Sequence, residues 1–154
     1  MKITLSSSEM KVAQFIARAR QYECRKYGVV DVKRTDGDPI DINVTGFVAE
    51  LAFAKFQNVY PDLNSNIQSG GYDGVTKKGF RYDIKATTNT NGNLLCTTKN
   101  NPDIDVYILA YVTGNEVEFV GWIFKKDFIK PENIKNLGRG NSYFMDKTKL
   151  NKFV

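Results

Sequence analysis

Residues 106–112 form an unbroken apolar run of strand length, and this run limits the fold more than any other stretch of the chain. A strand that is apolar at every position must be covered on both faces, so it belongs at the centre of a sheet with a layer on each side. Residues 45–58 carry the helical counterpart. There Phe47, Val48, Leu51, Phe53 and Phe56 surround nearly the whole axis, which predicts a helix covered on most sides and ended by Pro61. With 154 residues, 42% of them hydrophobic, there is material for one such layered domain and not for two. The expectation is a single α/β domain over residues 1–154, a mixed sheet flanked by helices.

The other elements follow from local signals. Ser6 and Glu9 have the spacing of a capping box, and Gly28 suits a left-handed stop, so the first helix is expected over 7–27. On it Lys11, Gln14, Arg18, Gln21 and Arg25 recur at steps of three and four as one polar, mostly basic stripe, either a solvated face or a track for phosphates. Met10, Ala13, Ile16, Ala17 and Cys24 face inward. Residues 29–32 read as extended, and Asp36-Gly37-Asp38-Pro39 as a turn in which Pro39 breaks the spacing of a calcium loop. Alternation over 63–68 predicts a half-buried strand, and two more are expected at 72–76 and 80–87. Lys77-Lys78-Gly79 joins that pair as a hairpin loop with Gly79 in the left-handed position. Residues 87–101 read as a polar loop with room for one strand. In the C-terminal part, 113–154, Gly114-Asn115 turns the chain into a strand over 116–123; a turn at 125–128, a break at Pro131 and a strand over 143–145 follow.

The chain has no histidine, which excludes Ser-His-Asp triads, His-ligated zinc and imidazole acid–base pairs. Catalysis would have to run on carboxylates, lysine or tyrosine. The net charge of +5 favours polyanions as partners, and it is unevenly spread: +3 over residues 1–40, −3 over 41–75 and +5 over 76–154. Cys24 and Cys96 are too few and too far apart for a zinc motif or a disulfide framework and read as buried thiols in a reducing compartment. No apolar run reaches the roughly 20 residues needed to cross a bilayer, and residues 1–6 lack the apolar core of a signal peptide. A cytoplasmic protein without membrane contact is expected.

Counting along the 72–87 hairpin carries the chemistry. If Thr76 and Phe80 flank its loop, Asp73 falls directly opposite Asp83, with Cβ atoms about 4.5 to 5.5 Å apart. Lys85, two residues beyond Asp83, projects from that same face. Opposed carboxylates destabilise a sheet unless a cation lies between them, and oxygen ligands in this number suit Mg²⁺ or Mn²⁺. Glu50 is a second anomaly. It sits mid-helix with only Gly46, Phe47 and Ala54 one turn away, so its cationic partner must come from another element or its face must be wet.

The order Glu50, Asp73, Asp83-Ile84-Lys85, on helix, strand and next strand, resembles the PD-(D/E)XK nuclease superfamily over roughly residues 46–112. Tyr72 stands where that motif has proline, and no helix is evident after the lysine strand. The resemblance implies a restriction-endonuclease-like fold. It also implies metal ligation by Asp73, Asp83 and the Ile84 carbonyl, with Glu50 bearing on the metal directly or through water, and Lys85 as the catalytic lysine. The activity implied is Mg²⁺- or Mn²⁺-dependent hydrolysis of DNA phosphodiester bonds, endonucleolytic, with DNA rather than RNA as the polymer. Lys77, Lys78, Arg81, Thr87, Lys99 and Arg139 are the residues that would meet phosphate. A domain of this size fits a homodimer or a monomer within a larger complex. Two competing readings are a catalytically silent nucleic-acid-binding module and a structural or inhibitory protein whose acidic residues form an ion-pair network.

Overall fold

The structure is a computed structural model and describes residues 1–28, 38–65, 71–99 and 102–154. The apolar run becomes β5 (Val106–Thr113), buried at every residue but the last. It lies between β3 (Arg81–Thr87), parallel to it, and β6 (Glu116–Phe124), antiparallel to it with a register shift at Leu109/Ala110. With β1 (Lys2–Thr4) and β2 (Gly74–Val75) at the edges, the mixed sheet runs β1-β6-β5-β3-β2. Its two faces enter different cores, as the sequence demands. Val106, Ile108, Ala110 and Val112 pack on the helical side, while Tyr107, Leu109 and Tyr111 pack on a second layer. That layer contains a three-stranded antiparallel sheet, β4 (Leu94–Thr97), β8 (Asn141–Met145) and β7 (Ile134–Asn136), together with the short α3 (Lys125–Phe128).

The helical side is two-layered. Helix α1 (Ser7–Lys26) begins at the expected capping box: Glu9 N–H donates to Ser6 Oγ at 3.2 Å and Ser6 N–H to Glu9 Oε2 at 2.6 Å. Helix α2 (Pro39–Gln57) starts six residues earlier than its apolar pattern suggests. Asp38 accepts from Ile40 N–H at 2.9 Å and Pro39 occupies the first helical turn, so the expected turn is in its described part a helix cap. Asn58 closes α2 in the left-handed conformation, φ 50°. Between Phe47 and Ala54 every residue of α2 except Glu50 is buried.

Three expectations are corrected. Residues 63–65 form no strand; Asp62 Oδ1 accepts from Asn64 N–H at 2.9 Å, a local turn that competes with a ladder, and residues 66–68 of the expected strand lie outside the described residues. Gln21, assigned to the polar stripe of α1, is 5% exposed. A single sheet becomes two, with β1 and β7 unforeseen. Residues 29–32 and 36–37 also lie outside the described residues. No helix among the described residues is long and apolar enough to cross a membrane.

Candidate active site

The hairpin register is the predicted one: Gly74 pairs with Tyr82 and Val75 with Arg81. Gly79 N–H donates to Thr76 O at 2.9 Å with φ +86° at the glycine, which sets the loop at three residues. The ladder stops at Gly74, so the expected Asp73–Asp83 pair does not form: the Asp73 N–H donates to the Tyr82 carbonyl at 2.8 Å instead. Beyond it Ile84 N–H has no strand residue to pair with, and the Asp73 carboxylate takes that place, accepting from it through Oδ2 at 2.6 Å. Asp73 is thereby held at the open edge of the sheet.

Along β3 the residues alternate. Tyr82 and Ile84 pack beneath α2, where Tyr82 meets Phe53 edge-on with centroids 4.7 Å apart. Asp83 and Lys85 project from the opposite face, where Cys96 of β4 and Tyr107 of β5 are their neighbours. Lys85 Nζ lies 2.6 Å from Asp83 Oδ1 and donates to Oδ2 at 2.9 Å. Asp83 is 9% exposed, and its Oδ1, in ionic contact but outside hydrogen-bonding geometry, is a buried oxygen without a hydrogen bond.

Glu50 reaches the same region from α2, and its partner is a residue of α1 that sequence reasoning passed over. Arg20 of α1 donates to Glu50 Oε2 at 3.0 Å, each side chain 18% exposed. The same guanidinium donates to the carbonyls of Asp62 at 2.9 Å and Asn64 at 3.0 Å and lies over the Phe47 ring at 4.6 Å. A signal for Arg20 exists: it is four residues from both Ile16 and Cys24, on the inward side of α1.

The electrostatics show that these groups share one environment. Burial raises the Asp73 pKa well above the carboxylate range; the charges of Glu50 and Asp83 add to this, and the Ile84 N–H and Lys85 offset only part of it. Glu50 is also raised, by burial first, against the pull of Arg20. For Lys85 burial is the largest influence and works downward, yet Asp83 and Asp73 leave the ammonium more basic than usual. Three carboxylates thus meet two cations, and it is at Asp73 that the ionised form is most disfavoured. Among the described residues no three acidic or thiol side chains converge tightly enough to enclose a metal ion. Mg²⁺ does not require such a cage, because it keeps several waters and is commonly held by one or two carboxylates. Asp83, buried, and Asp73, half-buried, bring oxygen ligands in a cluster with one cation too few, and fit such an ion in kind.

The expected phosphate contacts scatter. Lys77, Lys78 and Lys99 are exposed, the first two at the hairpin tip. Thr87 Oγ1 accepts from Asn89 N–H at 3.1 Å. Arg81 is engaged by Asp105, donating to Oδ2 from Nε and to Oδ1 from Nη2, both at 3.0 Å. Arg139 is exposed in the turn between β7 and β8. No protein-family model matches the chain, and no curated protein matches it.

Proposed function

We propose that this protein is a metal-dependent nuclease of the PD-(D/E)XK kind, with the restriction-endonuclease-like arrangement, cutting DNA phosphodiester bonds internally at Glu50, Asp73, Asp83 and Lys85. The observation that carries this reading is the gathering of Glu50, Asp73 and Asp83 from three elements at one sheet edge, where the Ile84 N–H fixes the Asp73 carboxylate and Asp83 Oδ1 lacks a hydrogen bond. A half-buried carboxylate flanked by two more, each from a different element, is unfavourable in a purely structural role and suits a cation site.

Asp73, Asp83 and the Ile84 carbonyl would hold the ion, with Glu50 beside them. Bound there, Mg²⁺ or Mn²⁺ supplies a Lewis acid for the phosphoryl oxygen and a water of lowered pKa. The chain does the positioning. Ile84 N–H orients the Asp73 carboxylate, and Arg20 holds Glu50 in the cluster. Lys85, kept protonated by Asp83, stabilises charge on the phosphate and orients the attacking water rather than accepting its proton.

The test is incubation of plasmid and single-stranded DNA with Mg²⁺ or Mn²⁺, comparing wild type with Asp83→Ala and Lys85→Ala. Metal-dependent cutting that both substitutions abolish is expected; cutting that survives both overturns the assignment. One observation favours a second reading, a silent nucleic-acid-binding module: Lys85 and Arg20 already neutralise two of the three carboxylates. That reading predicts salt-dependent DNA binding without cleavage by any variant.

A further inference from the structure

The outer side of α1 carries a row that neither the core nor the acidic cluster uses. Lys11, Phe15, Arg18, Tyr22 and Arg25 follow one another at steps of four, three, four and three, so they lie along one line of the helix surface, about 21 Å long. All five are exposed, and the two rings conspicuously so: Phe15 is 71% and Tyr22 is 68% exposed. Large aromatics on a helix normally enter the core, yet the core face of this helix, with Ala13, Ile16 and Ala17, points the other way. Both acids of α1 are off the row. Glu9 is held by Lys55 at 2.9 Å, and Glu23 is about 100° around the axis from Tyr22.

From this row we infer that the outer face of α1 is a binding track for single-stranded nucleic acid, independent of whether the acidic cluster cuts anything. Such a strand alternates anionic phosphates with unpaired bases, and the row alternates cations with rings. Lys11, Arg18 and Arg25 neutralise phosphates while Phe15 and Tyr22 offer faces for stacking. Duplex DNA presents no unpaired base to a ring on a convex helix. A membrane-lying helix segregates its apolar face from its charged face, whereas here the two kinds share one line. Pairing with a second copy would set cations against cations.

The experiment is fluorescence anisotropy with a labelled oligothymidylate and with a duplex of equal length, over a range of salt and without divalent cation, so that the result stands whether or not the nuclease reading does. Wild type binds the single strand more tightly than the duplex. Lys11→Gln/Arg18→Gln/Arg25→Gln lowers the slope of log affinity against log salt by about 2, at about 0.7 per cation. Phe15→Ala/Tyr22→Ala weakens binding roughly five- to hundredfold per ring and leaves that slope unchanged. Both sets of side chains are exposed, and circular dichroism verifies that each variant is folded. The inference is overturned if wild type does not bind, if both variants bind like wild type, or if the duplex binds more tightly. It is equally overturned if Phe15→Ala/Tyr22→Ala instead abolishes self-association in sedimentation or adsorption to anionic phospholipid vesicles.

Discussion

Strand β3 carries two acid–base clusters two residues apart, and they are built on opposite principles. At Arg81 the charges are paired at the surface: a forked pair with Asp105, reinforced by Arg81 N–H to Asp105 Oδ2 at 2.9 Å and flanked by Asp103 at 3.4 Å, holds the Asp105 carboxyl down to about 2. At Asp83 the charges are buried and do not balance, and burial drives the Asp73 carboxyl up. The first cluster is what a fold makes when it only needs a hydrogen-bonded hairpin base. The second gathers acids from three elements with one cation too few, which the proposed cation site would explain. Two carboxylates that meet one strand from either side, Asp73 and Asp105, thus differ in environment, and the directions of their pKa shifts tell them apart.

The sharpest separation is in activity. Asp83→Ala and Lys85→Ala should each lower cleavage by about 10²- to 10⁴-fold, whereas Asp105→Asn should leave it unchanged. Equal losses at all three in the plasmid assay would erase the distinction between the clusters. Stability comes next. Arg20→Ala leaves Glu50 beside Asp73 and Asp83 without its cation, and should cost about 2–4 kcal/mol by urea unfolding. Adding Glu50→Gln to Arg20→Ala should recover most of that loss, since the charge left unpaired is then gone. A double variant no more stable than Arg20→Ala would assign Arg20 to packing on Phe47 and to the carbonyls of Asp62 and Asn64 instead.

The legible parts of this site were those governed by counting within one hairpin. Gly79 permits a three-residue loop, the loop fixes the register as far as Gly74 and Tyr82, and the counting fails only at the last step, where Asp73 leaves the ladder. Glu50 was legible as an anomaly because nothing within one turn of it can pair. Its partner was not, since sorting α1 by charge hid Arg20, which its spacing from Ile16 and Cys24 places on the inward side. The early start of α2 was obscured because Pro39 suits both a turn and a first helical turn, and only the Asp38 cap decides between them. The second sheet rests on pairing Leu94 with Met145, a contact across a third of the chain that no local pattern encodes. Strands β1 and β7 are three residues each, too short for alternation to register.

Asp73→Asn separates function from stability at a single residue. An acid whose pKa is higher in the folded than in the unfolded chain binds more protons when folded, so stability falls as pH rises from the ordinary carboxylate range through the folded value. Asparagine can still accept the Ile84 N–H without the charge. Asp73→Asn should therefore raise the melting temperature at neutral pH, abolish that fall, and abolish cleavage. Mg²⁺ should raise the melting temperature of wild type and not of the variant. A variant less stable than wild type at neutral pH would show that the Asp73 charge is already compensated.

The smallest effect belongs to Asp105→Asn, and its sign is opposite. Because the Arg81 guanidinium and backbone N–H depress Asp105, its contribution is complete above the ordinary carboxylate value and is lost as pH falls toward about 2. The pair is exposed enough for solvent and salt to screen it, so the melting temperature should drop only slightly at neutral pH and not at all in strong acid. Melting curves of the two asparagine variants over the acid range should thus diverge in opposite directions from wild type as pH rises: Asp73→Asn upward and Asp105→Asn downward. Curves that diverge in the same direction would mean that the two carboxylates share one environment, and the contrast along β3 would fail.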